Sequence, residues 1–124
     1  MEREEFARDV AEMMKGKQLD RVLGVVHGIG MPAGWQAQVK PLFEAYLGKP
    51  MVPAIIPAAD IPEHQQVWLR KAPKAVLRKL AWAVKLSYSE KTSPDSEESG
   101  ELVLPLIPVG DGWRILMVGE KAGS

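Results

Sequence analysis

The spacing of apolar residues changes once along this chain, near Pro50, and that change limits the fold more than any other feature. Before it, large apolar residues recur at three- and four-residue offsets; after it, they alternate. Helical repeats followed by alternation predict an α+β fold, with two or three N-terminal helices packed on a mainly antiparallel sheet rather than interleaved βαβ units. At 124 residues the chain has room for one core, so a single domain over 1–124 is expected.

In the helical part, Phe6, Val10, Met13 and Met14 share one face of a helix over about Glu2 to Lys15. Acidic residues crowd its start, and Lys15 and Lys17 its end, as the helix dipole favours. Gly16 is the expected stop. Asp20 is placed to cap a shorter second helix with Val22, Leu23 and Val26 inside, ending before Gly28. A third pattern follows Gly34, with Trp35, Val39, Leu42, Phe43, Tyr46 and Leu47 on one face. Pro41 inside it removes a backbone donor, so this helix is either kinked there or begins near it. Gly48 and Pro50 end it.

Met51 to Ala58 reads as a strand whose Pro53 and Pro57 have the same parity, so both missing donors point to one side. That is the signature of an edge strand. A short extended piece is expected at Gln66 to Arg70, with Val67 and Leu69 facing opposite to Trp68. Over Lys79 to Ser89, Leu80, Trp82, Val84, Leu86 and Tyr88 alternate with smaller or polar residues, which favours a half-buried strand. The spacing of Val76, Leu80 and Val84 leaves a helix as the alternative. Glu90 to Gly100 holds Ser, Asp and Glu but no large apolar residue, and is expected to be a flexible loop. Leu102 to Val109 and Trp113 to Val118 flank Gly110-Asp111-Gly112 and predict a β-hairpin. Pro105 and Pro108 have opposite parity, which calls for a bulge or a frayed end in the first of these strands.

This order of elements, closing on Asp111, Gly112, Trp113, Arg114 and Ile115, resembles the NTF2-like (cystatin-like) superfamily. The resemblance implies a curved sheet wrapped around the helices as a cone with an apolar pocket, and pairing into a homodimer through the outer sheet face. It carries over no catalytic set, because the family's enzymes and its non-catalytic members share the scaffold. In such a pocket Trp35, Tyr46, Trp82 and Tyr88 are the candidate lining residues, against the plainer reading that they pack the core.

Other constellations are sparse. The sequence has no cysteine, which removes disulfides, thiolate catalysis and cysteine-based zinc sites. Two histidines without ordered spacing define no metal site, and no cofactor is expected. His64, paired with Asp60 or Glu63, is the candidate acid/base site, since a carboxylate orients an imidazole, although Asp60 to His64 also reads as an exposed turn. His27-Gly28-Ile29-Gly30 could be a strand entering a glycine loop, but it misses the dinucleotide spacing, and helix termination is the simpler reading. Sixteen basic and sixteen acidic residues cancel, so no overall field draws in nucleic acid or membrane. Locally, Arg70, Lys71, Lys74, Arg78, Lys79 and Lys85 interleave with Trp68 and Trp82, a pattern that also serves as a charged sheet edge resistant to pairing. No apolar run is long enough to span a bilayer, and the acidic start is unlike a secretory signal, which makes cytoplasmic the default location with a removed leader left open.

The expected function is a non-catalytic module that binds a small apolar ligand or another protein. The alternatives are a small cofactor-independent hydrolase, isomerase or dehydratase in the same scaffold, and a nucleic-acid or membrane-surface binder through the basic stretch 70–85.

Overall fold

The computed structural model describes residues 2–119; Met1 and 120–124 lie outside the described residues. The fold is α+β. Helix α1 (Arg3–Lys15) and helix α2 (Leu19–Gly24) are followed by strand β1 (Val26–Ile29), helix α3 (Trp35–Glu44) and strand β2 (Val52–Pro57). A 3-10 turn (Ala58–Asp60) leads to the short helices α4 (Glu63–Leu69) and α5 (Lys74–Leu77), and then to strands β3 (Trp82–Ser93), β4 (Ser96–Val109) and β5 (Gly112–Val118). The five strands form one curved, unclosed sheet in the order β1-β5-β4-β3-β2, antiparallel except for the β1–β5 pair.

The two sheet faces carry different cores. Phe6, Val10 and Met14 of α1, Val22 of α2, and Val39 and Phe43 of α3 pack with Val84, Leu86, Leu104, Leu106 and Ile115. The three N-terminal helices therefore cover one face, as their apolar stripes predict. The other face presents Ala83, Val103, Ile107 and Leu116 to Ile61 and Leu69, with Val76 and Leu80 at the periphery. The outer face, expected to be open for pairing, thus carries α4 and α5.

Several local expectations are corrected. The second helix stops at Gly24, and Val26 begins a strand instead of continuing a helix, because β5 offers it a parallel partner from Ile115 to Val118. Residues 66–70 are not extended: Glu63–Leu69 is helical, and its Leu69 reaches the outer-face core. The third helix runs from Trp35 through Pro41. Residues 79–89 do form a strand, but it starts at Trp82, and Leu80 turns to the opposite face. Residues 90–100 are not a loop; β3 and β4 continue as a paired arm to Ser93 and Ser96, joined by Pro94 and Asp95. Backbone pairing sustains this arm, so it needs none of the apolar side chains whose absence suggests a loop.

The prolines are placed by the ladders. Pro53 and Pro57 lie opposite Leu86 and Trp82, β3 positions that turn toward β4, so both face the open edge of β2 as expected. The closing hairpin turns at Gly110, whose φ of 60° suits the first position of a two-residue turn. Of the bulge or frayed end expected in this strand, no bulge occurs at the prolines; among the described residues the one register shift lies between Lys91 and Ser93. Both prolines are accommodated because β4 changes partners: its β3 ladder ends at Leu106 and its β5 ladder begins there. Each proline has one flank without a strand.

Candidate functional site

The change of partners opens a fork. β5 pairs with β4 only from Gly112 to Ile115, then leaves it and pairs with β1 from Ile115 to Val118. Beyond Leu106 and Ile115, residues 102–105 of β4 and 116–118 of β5 have no registered partners across the gap. The lining comes from both faces of the sheet: Leu104 and Ile115 belong to the inner core, Val103 and Leu116 to the outer one. On the inner side Leu42 and Phe43 of α3 and Tyr46 of the turn after it close the gap, and on the outer side α4 does so with His64, Gln65, Trp68 and Leu69. The cleft is open to solvent on one side and has a volume of about 430 Å³, within the range of small-molecule sites.

A gap in a sheet strands backbone groups that need partners. Two side chains supply partners to two of them. Gln65 Nε2 donates to the Val103 carbonyl at 2.9 Å, and Tyr46 Oη donates to the Glu101 carbonyl at 3.4 Å. Residues 101, 103 and 105 share one edge of β4, so Pro105 also faces the gap, where it presents no donor at all. On this edge of the fork two carbonyls are thus covered, at Glu101 and Val103, and one donor is deleted, at Pro105. No Asp, Glu, Lys or Arg lines it. Two large apolar side chains stand at its mouth, Leu42 at 59% and Trp68 at 45% exposure.

Of the residues singled out from sequence, Tyr46 and His64 line this cleft. Trp35 packs in the inner core instead, its indole lying so close to Gly28 that a Cβ there would stand 3.1 Å from the ring. Trp82 lies beneath the Arg3 guanidinium, 4.2 Å from the ring centroid. Tyr88 sits behind Tyr46, edge to face at 6.0 Å, and covers Gly100 on the neighbouring strand. It belongs to a polar cluster at the base of the β3–β4 arm. Its hydroxyl donates to Glu98 at 3.2 Å, and Lys49 Nζ is 2.9 Å from Glu90 and 4.7 Å from the Tyr88 ring. Burial, then the hydrogen bond to Glu98, raises the Tyr88 pKa; the hydrogen bond to Glu90 raises that of Lys49.

Asp60 is exposed on the 3-10 turn and does not line the cleft, so the acid/base pair with His64 is not assembled. His27 falls on the exposed side of β1, and the glycines after it lead to α3 without forming a phosphate loop before a long helix. The basic stretch divides: Arg70 bridges Glu63 at 3.0 Å, Lys71 lies on Trp68, and Lys85 on β3 bridges Glu101 at 3.3 Å, while Lys74, Arg78 and Lys79 are exposed. Among the described residues no group of three metal-ligating side chains converges, and no helix is long and apolar enough to cross a membrane.

Leu42, Gln65 and Trp68 were not singled out as a group by sequence reasoning. Their link depends on the divergence of β4 and β5; the one available signal was the unequal length of the two apolar runs around the Gly-Asp-Gly turn. No family model, curated protein or solved structure matches this chain.

Proposed function

We propose that the chain is a non-catalytic binding module that takes a small, largely apolar molecule into the fork between β4 and β5. One observation carries the reading: a cleft of about 430 Å³ lined mainly by apolar side chains, with the Glu101 and Val103 carbonyls on its edge covered by Tyr46 and Gln65. Apolar surface removed from water by a bound chain contributes about 25 cal/mol per Å² before the costs of association. The exposed Leu42 and Trp68 give such a ligand a hydrophobic entrance. The NTF2-like resemblance supports this reading through its helices-first order and closing hairpin, and by the ligand binders in that group.

The test is titration with an apolar fluorophore such as N-phenyl-1-naphthylamine. Saturable binding is expected at one site per chain. Leu42→Asp and Trp68→Ala, both at exposed positions and compatible with folding, are expected to weaken it at least tenfold. Undiminished binding in both variants would place the probe elsewhere and end the proposal.

A further inference from the structure

Resting on that reading, we infer that the ligand is an amphiphilic anion, with a single alkyl chain in the fork and a carboxylate head held at the mouth by Lys71 and His64. His64, Trp68 and Lys71 follow one another at offsets of four and three, which sets them along one stripe of α4 and its C-terminal turn. His64 and Trp68 line the cleft directly, and Lys71 folds back so that its Nζ lies 4.1 Å from the Trp68 ring centroid. The neighbouring Arg70 is held by Glu63 at 3.0 Å, whereas Lys71 makes no ion pair among the described residues. A cation resting on an aromatic face retains its capacity for a carboxylate, because the ring satisfies none of its hydrogen-bond donors.

The charge pattern discriminates between head groups. With no carboxylate in the lining, a cationic head finds no counter-ion within the cleft. A neutral head gains only ordinary hydrogen bonds. A carboxylate meets the Lys71 ammonium and the His64 imidazole, and hydrogen bonds of this charged kind are the stronger ones. The apolar lining of the fork favours an alkyl chain over a compact anion such as phosphate, which would leave that lining wet.

Three probes of equal chain length separate this inference from the reading beneath it: dodecanoate, dodecanol and dodecyltrimethylammonium, each titrated below its micelle concentration by calorimetry. Dodecanoate is expected to bind about tenfold more tightly than dodecanol, and the ammonium probe more weakly than either. Lys71→Gln is expected to cost dodecanoate about three- to tenfold while leaving dodecanol unchanged. Equal binding of all three probes, indifferent to Lys71→Gln, would overturn the anionic head and leave the apolar site standing. No binding of any probe would overturn both. Retention on phosphatidylglycerol vesicles without saturable uptake of free dodecanoate would show that the cations read a membrane surface, and would overturn the proposal in favour of that alternative.

Discussion

Tyr88 is held by contacts from three directions. Its ring covers Gly100, abuts Tyr46 and lies under the Lys49 ammonium, while its hydroxyl donates to Glu98. A phenolate there would lose water and face a carboxylate, so burial first and Glu98 second raise its pKa above the ordinary 10.0. A raised folded value means that between the two values the folded chain keeps a proton that the unfolded chain has released. Stability from this group is therefore complete below about pH 10 and falls as pH rises through the folded pKa. Lys49, raised from 10.5 by its hydrogen bond to Glu90, acts in the same direction. The chain has only two tyrosines, so absorbance at 295 nm can follow each. The late-titrating component is expected to vanish in Tyr88→Phe and to move to lower pH in Glu98→Gln. An unchanged titration in Tyr88→Phe would contradict the assignment.

At the level of elements, the fork depends on where β4 exchanges β3 for β5, and proline marks that exchange. On β4 the carbonyls of Glu101 and Val103 face the gap and accept from the side chains of Tyr46 and Gln65; Pro105 lies on the same edge and is buried. Proline within a strand normally costs a ladder hydrogen bond, so replacing it would ordinarily help. Here the restored N–H would enter an apolar gap with no strand opposite. Pro105→Ala is accordingly expected to destabilise by about 1–3 kcal/mol, as an unmet buried donor does, with a further contribution from the freer unfolded chain. Urea denaturation measures this, and a gain in stability would show that the gap supplies an acceptor. The proline positions also show what was legible from sequence. Parity alone identified β2 as an edge strand, and the Gly-Asp-Gly turn identified the last hairpin. The arm at 90–100 was missed because both its faces are exposed, leaving no apolar alternation to read. α4 was missed because Val67, Trp68 and Leu69 are consecutive and fit either period; which of them is buried depends on a sheet face formed by distant residues. The four-residue β1 depends likewise on β5, nearly ninety positions away. For the site, sequence reached Tyr46 and His64 but not the fork that joins them, since register between strands is a tertiary fact.

Across the whole molecule the net charge is zero, yet the charges are unevenly spread. From Glu63 to Lys79, Arg70, Lys71, Lys74, Arg78 and Lys79 face a single carboxylate, Glu63, and only Arg70 is paired with it. The carboxylates of the β3–β4 arm are partly compensated, with Glu90 and Glu98 beside Lys49 and Glu101 beside Lys85. α4, α5 and the turns that follow them therefore carry an exposed positive patch of Lys71, Lys74, Arg78 and Lys79, none of them in an ion pair among the described residues. Such a field acts over about 10 Å at 0.1 M salt and reaches about three times farther at 0.01 M. At pH 7 and low ionic strength the chain is expected to be retained on a sulfonate resin despite its zero net charge, and to elute near 0.1 M salt. Lys74→Gln, Arg78→Gln and Lys79→Gln together, all at exposed positions remote from the core, are expected to abolish retention while leaving the melting temperature within a few degrees. If the patch engages duplex DNA as well, log affinity must fall with log salt at about 0.9 per phosphate neutralised, and the four cations without ion pairs cap that slope near 4. A steeper slope would require cations beyond α4 and α5. The absence of retention at low salt would mean that the arm's carboxylates reach this patch, and the electrostatic distinction between the two ends of the sheet would be lost.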